Sequence, residues 1–562
     1  MNPTRRTLAA LALLLIPSAL ATAAEPVKLA SSARFDLTAD DQAGAIEGGR
    51  ITVGAGAIDR PNWLPADRVP GAYTVNFPVG RIGWRGLSIT FTPRGTGAVS
   101  LALMGPWEQS SPGVLYKQEV LWDDVEADGA QLVGGGFEQG DGTKVPGWES
   151  RGGTVQVQTA EVSAASGDHY ARTWHNATLA TLLMVKAGTP VTLHLKARAA
   201  LPKGFREPRR ILSHDTPAHR AARRFRHGAN FGNDLEVPPG QNWAVNYTDA
   251  DVKNVKAEGF DHIRLPVGWH HYTGPGPDYT IAPAFFKRVD AKVDAALAVK
   301  LGIMVNIHHF DDFTTDPARY TPKFLAIWRQ IAAHYADRPE GLVFELLNEP
   351  KDAATTEAVN PIFAQAVAVI RETNPNRTIV IGPGKWNGIS ELPQLRVPDD
   401  DENILVTVHC YDPFVFTHQG ASWAGKGDDR KQTGLLFPGP PKSPLQPAPG
   451  LSLSPGLVET IKKYNTLPTE SNPVGPMVMD QAVSRIKEWS DYYGRPVYLG
   501  EFGAFTTADP ASRANYYREF RKRLDAADVG WAIWDWRAGF NYWNPKTNAP
   551  EPGMREALFG KP

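Results

Sequence analysis

The sequence predicts a multidomain chain, with an N-terminal β-sandwich over residues 25–200 followed by a (β/α)8 TIM barrel over 225–562. Three observations carry this. The 562 residues exceed one ordinary domain, although a barrel absorbs an unusually large share of any chain. Up to residue 200 the chain consists of short β-type runs broken by Gly and Pro. Past residue 225 it alternates short apolar strands with stretches of helical period.

Residues 1–24 carry the marks of an export leader. Arg5 and Arg6 supply a positive end, Leu8 to Ile16 an apolar stretch, and Ala21-Thr22-Ala23 a small-residue cleavage pattern. The mature chain is expected to start near Ala24 or Glu25 and to be secreted or periplasmic. The paired arginines also permit the export route for folded proteins. The apolar run is too short to span a bilayer, and no later stretch of about 20 apolar residues follows it.

The sandwich is predicted from runs at Tyr73 to Phe77, Leu87 to Thr92, Val99 to Met104, Val114 to Trp122, Thr154 to Thr159, Leu179 to Val185 and Val191 to Ala197. Within it, Gly135-Gly136-Phe137-Glu138, Pro146-Gly147-Trp148 and Lys186-Ala187-Gly188-Thr189-Pro190-Val191-Thr192-Leu193 resemble the first half of jelly-roll carbohydrate-binding modules. Leu121-Trp122-Asp123-Asp124-Val125 resembles their closing strand, yet here it comes first, which implies a permuted strand order. The resemblance leaves two roles open, a sugar-binding module or a structural spacer, because a fold alone does not confer binding. Residues 201–224 are rich in Pro and basic side chains and lack strand or helix period, so they are expected to be a linker.

Eight barrel strands are predicted at His227 to Asn230, His262 to Pro266, Ile303 to His308, Leu342 to Asn348, Thr378 to Gly382, Ile404 to Tyr411, Val497 to Glu501 and Trp531 to Trp534. Most gaps hold an amphipathic segment, such as Phe285 to Lys300 or Tyr320 to Tyr335. The longest insertion, Phe414 to Pro476, follows the sixth strand on the face where barrel active sites lie.

Composition narrows the partners. Fifty-nine Lys plus Arg against 60 Asp plus Glu leave no field to attract nucleic acid or anionic lipid, so neither is expected as a partner. The chain is expected to be a monomer with a neutral ligand. Sixteen Trp and 16 Tyr suit a protein that lays aromatic faces on sugar rings, although large cores also consume Trp. Cys410 is the single cysteine, which rules out an internal disulfide. The pairs His270-His271 and His308-His309 form no chelate by themselves, since neighbours along a strand point to opposite faces. No metal and no cofactor are expected.

In a barrel, residues at the strand ends face the catalytic mouth, whereas mid-strand apolar residues are packing. Six of the eight predicted strands end in polar, ionisable or aromatic groups: Arg264, His308 with His309, Asn348 with Glu349, His409 with Tyr411, Glu501, and Trp534. Each has an ordinary structural explanation alone, and their joint placement is what marks a site. Period-2 alternation puts His409 and Tyr411 on one face and turns Cys410 toward the helices as packing. His309 has the opposite parity to His308 and is expected to be structural. Glu345 lies too early in its strand to reach the mouth and is expected to pair with a buried cation such as Arg264.

On Ile263-Arg264-Leu265-Pro266, Asn306-Ile307-His308-His309, Phe344-Glu345-Leu346-Leu347-Asn348-Glu349-Pro350, Val408-His409-Cys410-Tyr411, Leu499-Gly500-Glu501-Phe502-Gly503 and Trp531-Ala532-Ile533-Trp534, residues 225–545 resemble glycoside hydrolase family 5. The resemblance implies a retaining glycosidase acting on a β-linked polysaccharide, with Glu349 as acid/base and Glu501 as nucleophile. It further implies Asn348 on the sugar 2-hydroxyl, His308 on the reacting sugar, His409 beside Glu349, Tyr411 beside Glu501, and Trp534 as the floor. Arg264 is expected to favour ionised Glu501, and burial and repulsion from Glu501 to raise Glu349. Trp386 and Trp423, with Trp243, Trp269, Tyr272 and Trp543, are candidates to stack on further sugars. The segments 228–236 and 416–423 look most like the endoglucanase branch, which implies internal cleavage of β-1,4-glucan. A mannanase, a xyloglucanase or another β-glucanase remains an alternative. A non-catalytic carbohydrate-binding protein is the alternative from another class, and the presence of both carboxylates argues against it.

Overall fold

The structure, a computed structural model, describes residues 82–560 except 94–95, 106–108, 112–113, 116–118, 158–161, 202–206 and 426, together with strands at 33–35, 46–53 and 73–79. The expected leader lies outside the described residues, as does the first part of the expected linker. No helix among the described residues is long and apolar enough to cross a membrane. The chain divides into two compact units, one ending at Ala200 and the other running from Leu201, to which Ile82 and Gly83 also belong.

The first unit consists of two antiparallel sheets. Alternation builds each of them: along Thr178–Val185, Leu179, Leu183 and Val185 are buried, while Leu182 and Met184 face outward. One predicted strand is displaced. The run expected at 114–122 is a strand at Val120–Asp128, because Trp122 and Val125 are the residues that meet the core. A strand at His169–Thr173 was not anticipated. The motif residues serve the fold. Phe137 and Trp148 pack ring to ring at 5.5 Å in the core, Glu138 accepts from the backbone of Asp168 and His169, and Asp123 accepts from that of Ala165 and Ser166.

The second unit is a closed barrel of eight parallel strands in sequential order. They are β1 (His227–Asn230), β2 (His262–Leu265), β3 (Gly302–Asn306), β4 (Leu342–Glu345), β5 (Ile379–Ile381), β6 (Ile404–His409), β7 (Val497–Phe502) and β8 (Gly530–Ile533). Every predicted barrel strand is present. Period 2 sorts their side chains: Ile303, Val305, Leu342, Phe344, Val406 and Val408 pack outward among the helices, while Met304, Val343, Val380 and Leu405 fill the barrel interior. Helices at Pro283–Ala298 and Pro317–His334, predicted from their apolar spacing, lie on the outer wall.

The expected linker is a correction. Residues 217–224 form a helix, α1 (Pro217–Arg224), with Pro217 at its first position and the Thr216 hydroxyl accepting from the His219 N–H. Just past its end, Phe225 is 1 % exposed and joins the interior cluster of Met304, Val343, Val380 and Leu405, with Ala222 packed beside it. The segment therefore plugs the N-terminal end of the barrel, and burying a phenylalanine contributes roughly 1.5 to 3 kcal/mol. Further anchors precede it, from the Ile211 N–H to the Tyr493 carbonyl (2.9 Å) and from the Arg209 N–H to Asp399 (2.7 Å). Its polar surface concealed this, because a one-sided eight-residue helix exposes most of its arginines.

The insertion after β6 is folded. It carries a helix at Pro455–Thr466, and the buried Tyr464 hydroxyl accepts from the Leu436 N–H at 2.8 Å.

Candidate active site

The C-terminal ends of seven strands bring functional side chains together around Arg264, which is fully buried. A guanidinium has five N–H groups, and in a buried one each must be matched. Here they are. Nε and Nη2 each donate to Glu345 at 2.6 Å, Nη1 donates to Asn230 Oδ1 (2.8 Å) and Glu501 Oε1 (2.6 Å), and Nη2 also donates to Asn348 Oδ1 (2.6 Å). Burial works against the arginine's charge, but Glu345 and Glu501 outweigh it and hold the proton tightly. The expected pairing of Glu345 with Arg264 is thus present.

Glu501, in β7, also accepts from the Tyr411 hydroxyl at 2.7 Å. A register shift between Val408 and His409 sets His409 opposite Glu501, and the Cys410 N–H bonds to the Glu501 carbonyl. His409 Nδ1 then lies 2.9 Å from Glu349 Oε1 and 3.6 Å from Glu501 Oε2. Burial lowers the His409 pKa to about 4, so the ring is neutral near pH 7. Cys410 packs in the core between barrel and helices, as its parity predicts.

Glu349 follows β4 on a backbone with φ of 48°, in the left-handed region that few non-glycine residues adopt. Burial raises its carboxyl pKa, and Glu345 adds to the rise, while His309, Arg264 and Lys351 oppose it. Burial raises Glu501 too, against the pull of His409, Arg264 and the Tyr411 hydroxyl. The expected effect of Arg264 on Glu501 is therefore present but smaller than that of burial. One oxygen from each carboxylate and one His409 nitrogen all lie within 4.8 Å of one another. This is the one group among the described residues with a spacing that would also suit a small cation.

His308 and Trp534 face each other in parallel, with centroids 5.8 Å apart. Burial pushes His308 well below the ordinary imidazole pKa and keeps it neutral. Its tautomer is set from behind. The Val267 N–H donates to Asn306 Oδ1 (3.3 Å), so the Asn306 amide N–H2 is left to donate to His308 Nδ1 (3.2 Å), and Nε2 carries the hydrogen. Gly232 clears the Trp534 face, since a Cβ there would stand 2.6 Å from the indole.

Further out, Trp386 is 54 % exposed and Trp423 64 %. Trp386 sits in a turn whose residues 385–387 all have positive φ, and its N–H bonds to the Pro350 carbonyl beside Glu349. Trp423 meets Phe505, Phe505 meets Phe540, and Phe540 meets Tyr411, with centroids 4.8 to 5.9 Å apart. An aromatic path thus runs from Glu501 to the exposed rim.

Arg264, His308, Asn348, Glu349, His409, Tyr411, Glu501 and Trp534 are therefore brought together, with Trp386, Trp423 and the 43 % exposed Trp243 placed outside them on loops. Three aromatic candidates differ from expectation. Trp269 is fully buried and donates to the Asn306 carbonyl, Trp543 stacks on Trp536, and Tyr272 stacks on Phe285. His309 lies past a strand end. β3 ends at Asn306, so strand parity no longer governs residue 309, which takes φ of 50° and is exposed, with Glu349 close enough to act on its ring. Sequence reasoning missed Asn230 and Asn306 as site residues. Asn306 stands inside one of the motifs that carry the family resemblance, and Asn230 lies at a strand end within the segment 228–236 that resembles the endoglucanase branch.

Residues 226–539 match the model of the Cellulase (glycosyl hydrolase family 5) family. Endoglucanase H of Acetivibrio thermocellus is 29 % identical over 308 residues, covering 55 % of this chain and 29 % of that protein. Endoglucanase 3 of Fibrobacter succinogenes is 30 % identical over 340 residues, covering 56 % of this chain and 50 % of that one. The chain thus spans half or less of these two relatives. Thermotoga maritima Cel5A with cellobiose is 34 % identical, with 62 % of this chain and 100 % of that one covered and a TM-score of 0.53. The same Cel5A with mannotriose gives 33 % identity, 61 % and 100 % coverage, and a TM-score of 0.52.

Proposed function

Because this chain belongs to glycosyl hydrolase family 5, we propose that it is an endo-β-1,4-glucanase that cleaves internal bonds of β-glucan by double displacement. The observation that carries the mechanism is the carboxyl pair, with oxygens of Glu349 and Glu501 within 4.8 Å. Retaining enzymes need roughly 5 to 5.5 Å between carboxyl groups, whereas inverting ones leave about 6.5 Å or more for a water.

In the first step Glu501 attacks the anomeric carbon, the glycosidic C–O bond breaks, and Glu349 gives its proton to the departing oxygen. Burial keeps Glu349 protonated at higher pH than a free carboxyl, which suits a general acid. Forming the ester removes the Glu501 charge, so Glu349 then accepts a proton from water as that water attacks the same carbon and frees Glu501. Arg264 and Tyr411 hold Glu501 in line for attack. Arg264 also takes the Asn348 carbonyl oxygen, turning its amide N–H2 toward the sugar 2-hydroxyl, where the hydrogen bond strengthens in the oxocarbenium-like transition state.

The names of the two endoglucanase relatives support glucan. A mannan reading is kept because the Thermotoga Cel5A, 33 % identical, was solved with mannotriose. Incubation with carboxymethyl cellulose, mixed-linkage glucan and β-mannan separates them. Fast viscosity loss with few new reducing ends is expected on glucan, and preferential loss on mannan would move the assignment. Proton NMR in the first minutes should show the β-anomer, and early α-product would end the retaining mechanism. Export is part of the same proposal: the recovered extracytoplasmic protein should begin near Ala24 or Glu25, and a chain retaining Met1 would refute it.

A further inference from the structure

We propose that Glu345 is a positioning residue for the reaction, gripping Arg264 so that fixed donors reach Glu501 and Asn348 and so that Glu501 does not receive the arginine's whole charge. This rests on the roles given above to Glu501 and Glu349. Glu345 ends β4 inside the barrel, with its side chain fully buried and closed off from solvent. Its two oxygens take Nε and Nη2 at 2.6 Å each, a two-pronged clasp that fixes the plane of the guanidinium. The remaining three N–H groups are thereby aimed, one each, at Asn230, Glu501 and Asn348.

Stability alone is a weak reason for the pair, because a buried ion pair is often no better than apolar side chains of similar volume. Without the clasp, Nη1 and Nη2 could both turn onto Glu501. The nucleophile would then be over-stabilised as a carboxylate, and Asn348 would lose the donor that orients its amide. The negative charge matters as well as the shape. Glu501 faces Arg264, His409, Tyr411 and Glu349, and Glu349 faces His409, His309, Lys351, Arg264 and Glu345. Removing one negative charge from this set makes both remaining carboxyls more acidic.

Two variants separate charge from geometry. Glu345→Gln loses the charge and sets an amide N–H against the guanidinium. Its kcat should fall on the order of 100-fold, and both limbs of the pH–rate profile should move about one unit to lower pH. Glu345→Asp keeps the charge but shortens the arm, so its limbs should stay while kcat falls and KM holds. The second readout is the contribution of the sugar 2-hydroxyl, measured with an aryl β-cellobioside and its 2-deoxy analogue. In Glu345→Asp the rate ratio between the two should shrink, because Asn348 is no longer held, and this variant decides the matter if the Gln protein does not fold. Wild-type ratio and kcat in Glu345→Asp, or unmoved limbs in a folded Glu345→Gln, would overturn the proposal. A wild-type chain that cleaves neither compound would instead overturn the glucanase reading, and the inference with it.

Discussion

Replacing Glu501 by Gln is expected to lower turnover by on the order of 10⁴-fold or more, on every substrate and whatever the leaving group. The isosteric amide keeps the volume of a carboxyl that is only 5 % exposed, but it cannot displace the leaving oxygen and form an ester. Folding should survive, because Arg264 and Glu345 still balance each other with two hydrogen bonds and no unpaired buried charge remains. The melting temperature should therefore move by only a few degrees while activity collapses. Mass spectrometry after exposure to a 2-deoxy-2-fluoro cellobioside should show a covalent adduct on the wild type and none on the variant. An adduct on Glu501→Gln, or turnover within tenfold of wild type, would show that another group is the nucleophile.

Much of this site was legible in the sequence because a barrel strand is a short apolar run and its end is a position of known direction. His227 to Asn230 and Trp531 to Trp534, expected as the first and eighth strands, pair with each other at the closure of the barrel. What the sequence hid depends on where strands end and on how many partners a side chain meets. β3 stops at Asn306 and β4 at Glu345, so alternation could not say that His309 and Glu349 both take a left-handed backbone. The pairing of Arg264 with Glu345 was foreseeable from two opposite charges on barrel strands. That the same guanidinium also serves Asn230, Glu501 and Asn348 was not, because the sequence does not disclose that it is fully buried with five matched donors. Trp269 and Trp543 misled for the same reason, since an indole on a loop looks alike whether it covers sugar or packs against Phe285 and Trp536.

The linker shows the opposite failure. Its basic residues read as solvated surface, which most of them are, yet Phe225 at its end closes the barrel interior. A chain begun at residue 225 would lack α1 and with it the Ala222 that packs against the interior cluster, so the catalytic unit begins before the helix and not after it.

Replacing Glu349 by Ala is expected to give a different defect from the loss of Glu501, and the difference assigns the two roles. Glu349 is needed twice, to protonate the departing oxygen and to deprotonate the incoming water. A natural glucan has a poor leaving group, so its first step should slow by on the order of 10³-fold or more. An aryl cellobioside with an acidic phenol needs little protonation, so its first step should survive. The ester on Glu501 should then accumulate, giving a burst of phenol followed by slow release. Azide needs no general base and fits where the Glu349 side chain was removed, so it should speed that release and yield the β-glycosyl azide, the configuration left by two inversions. His409 should not substitute for the missing base, because burial holds its pKa near 4 and its Nδ1 loses the Glu349 partner. Azide acceleration with β-product in Glu349→Ala, and none in Glu501→Gln, is the expected pair of results. An α-azide from Glu349→Ala would mean that attack came directly on the substrate, with no ester on Glu501 and with the acid and nucleophile assignments both wrong.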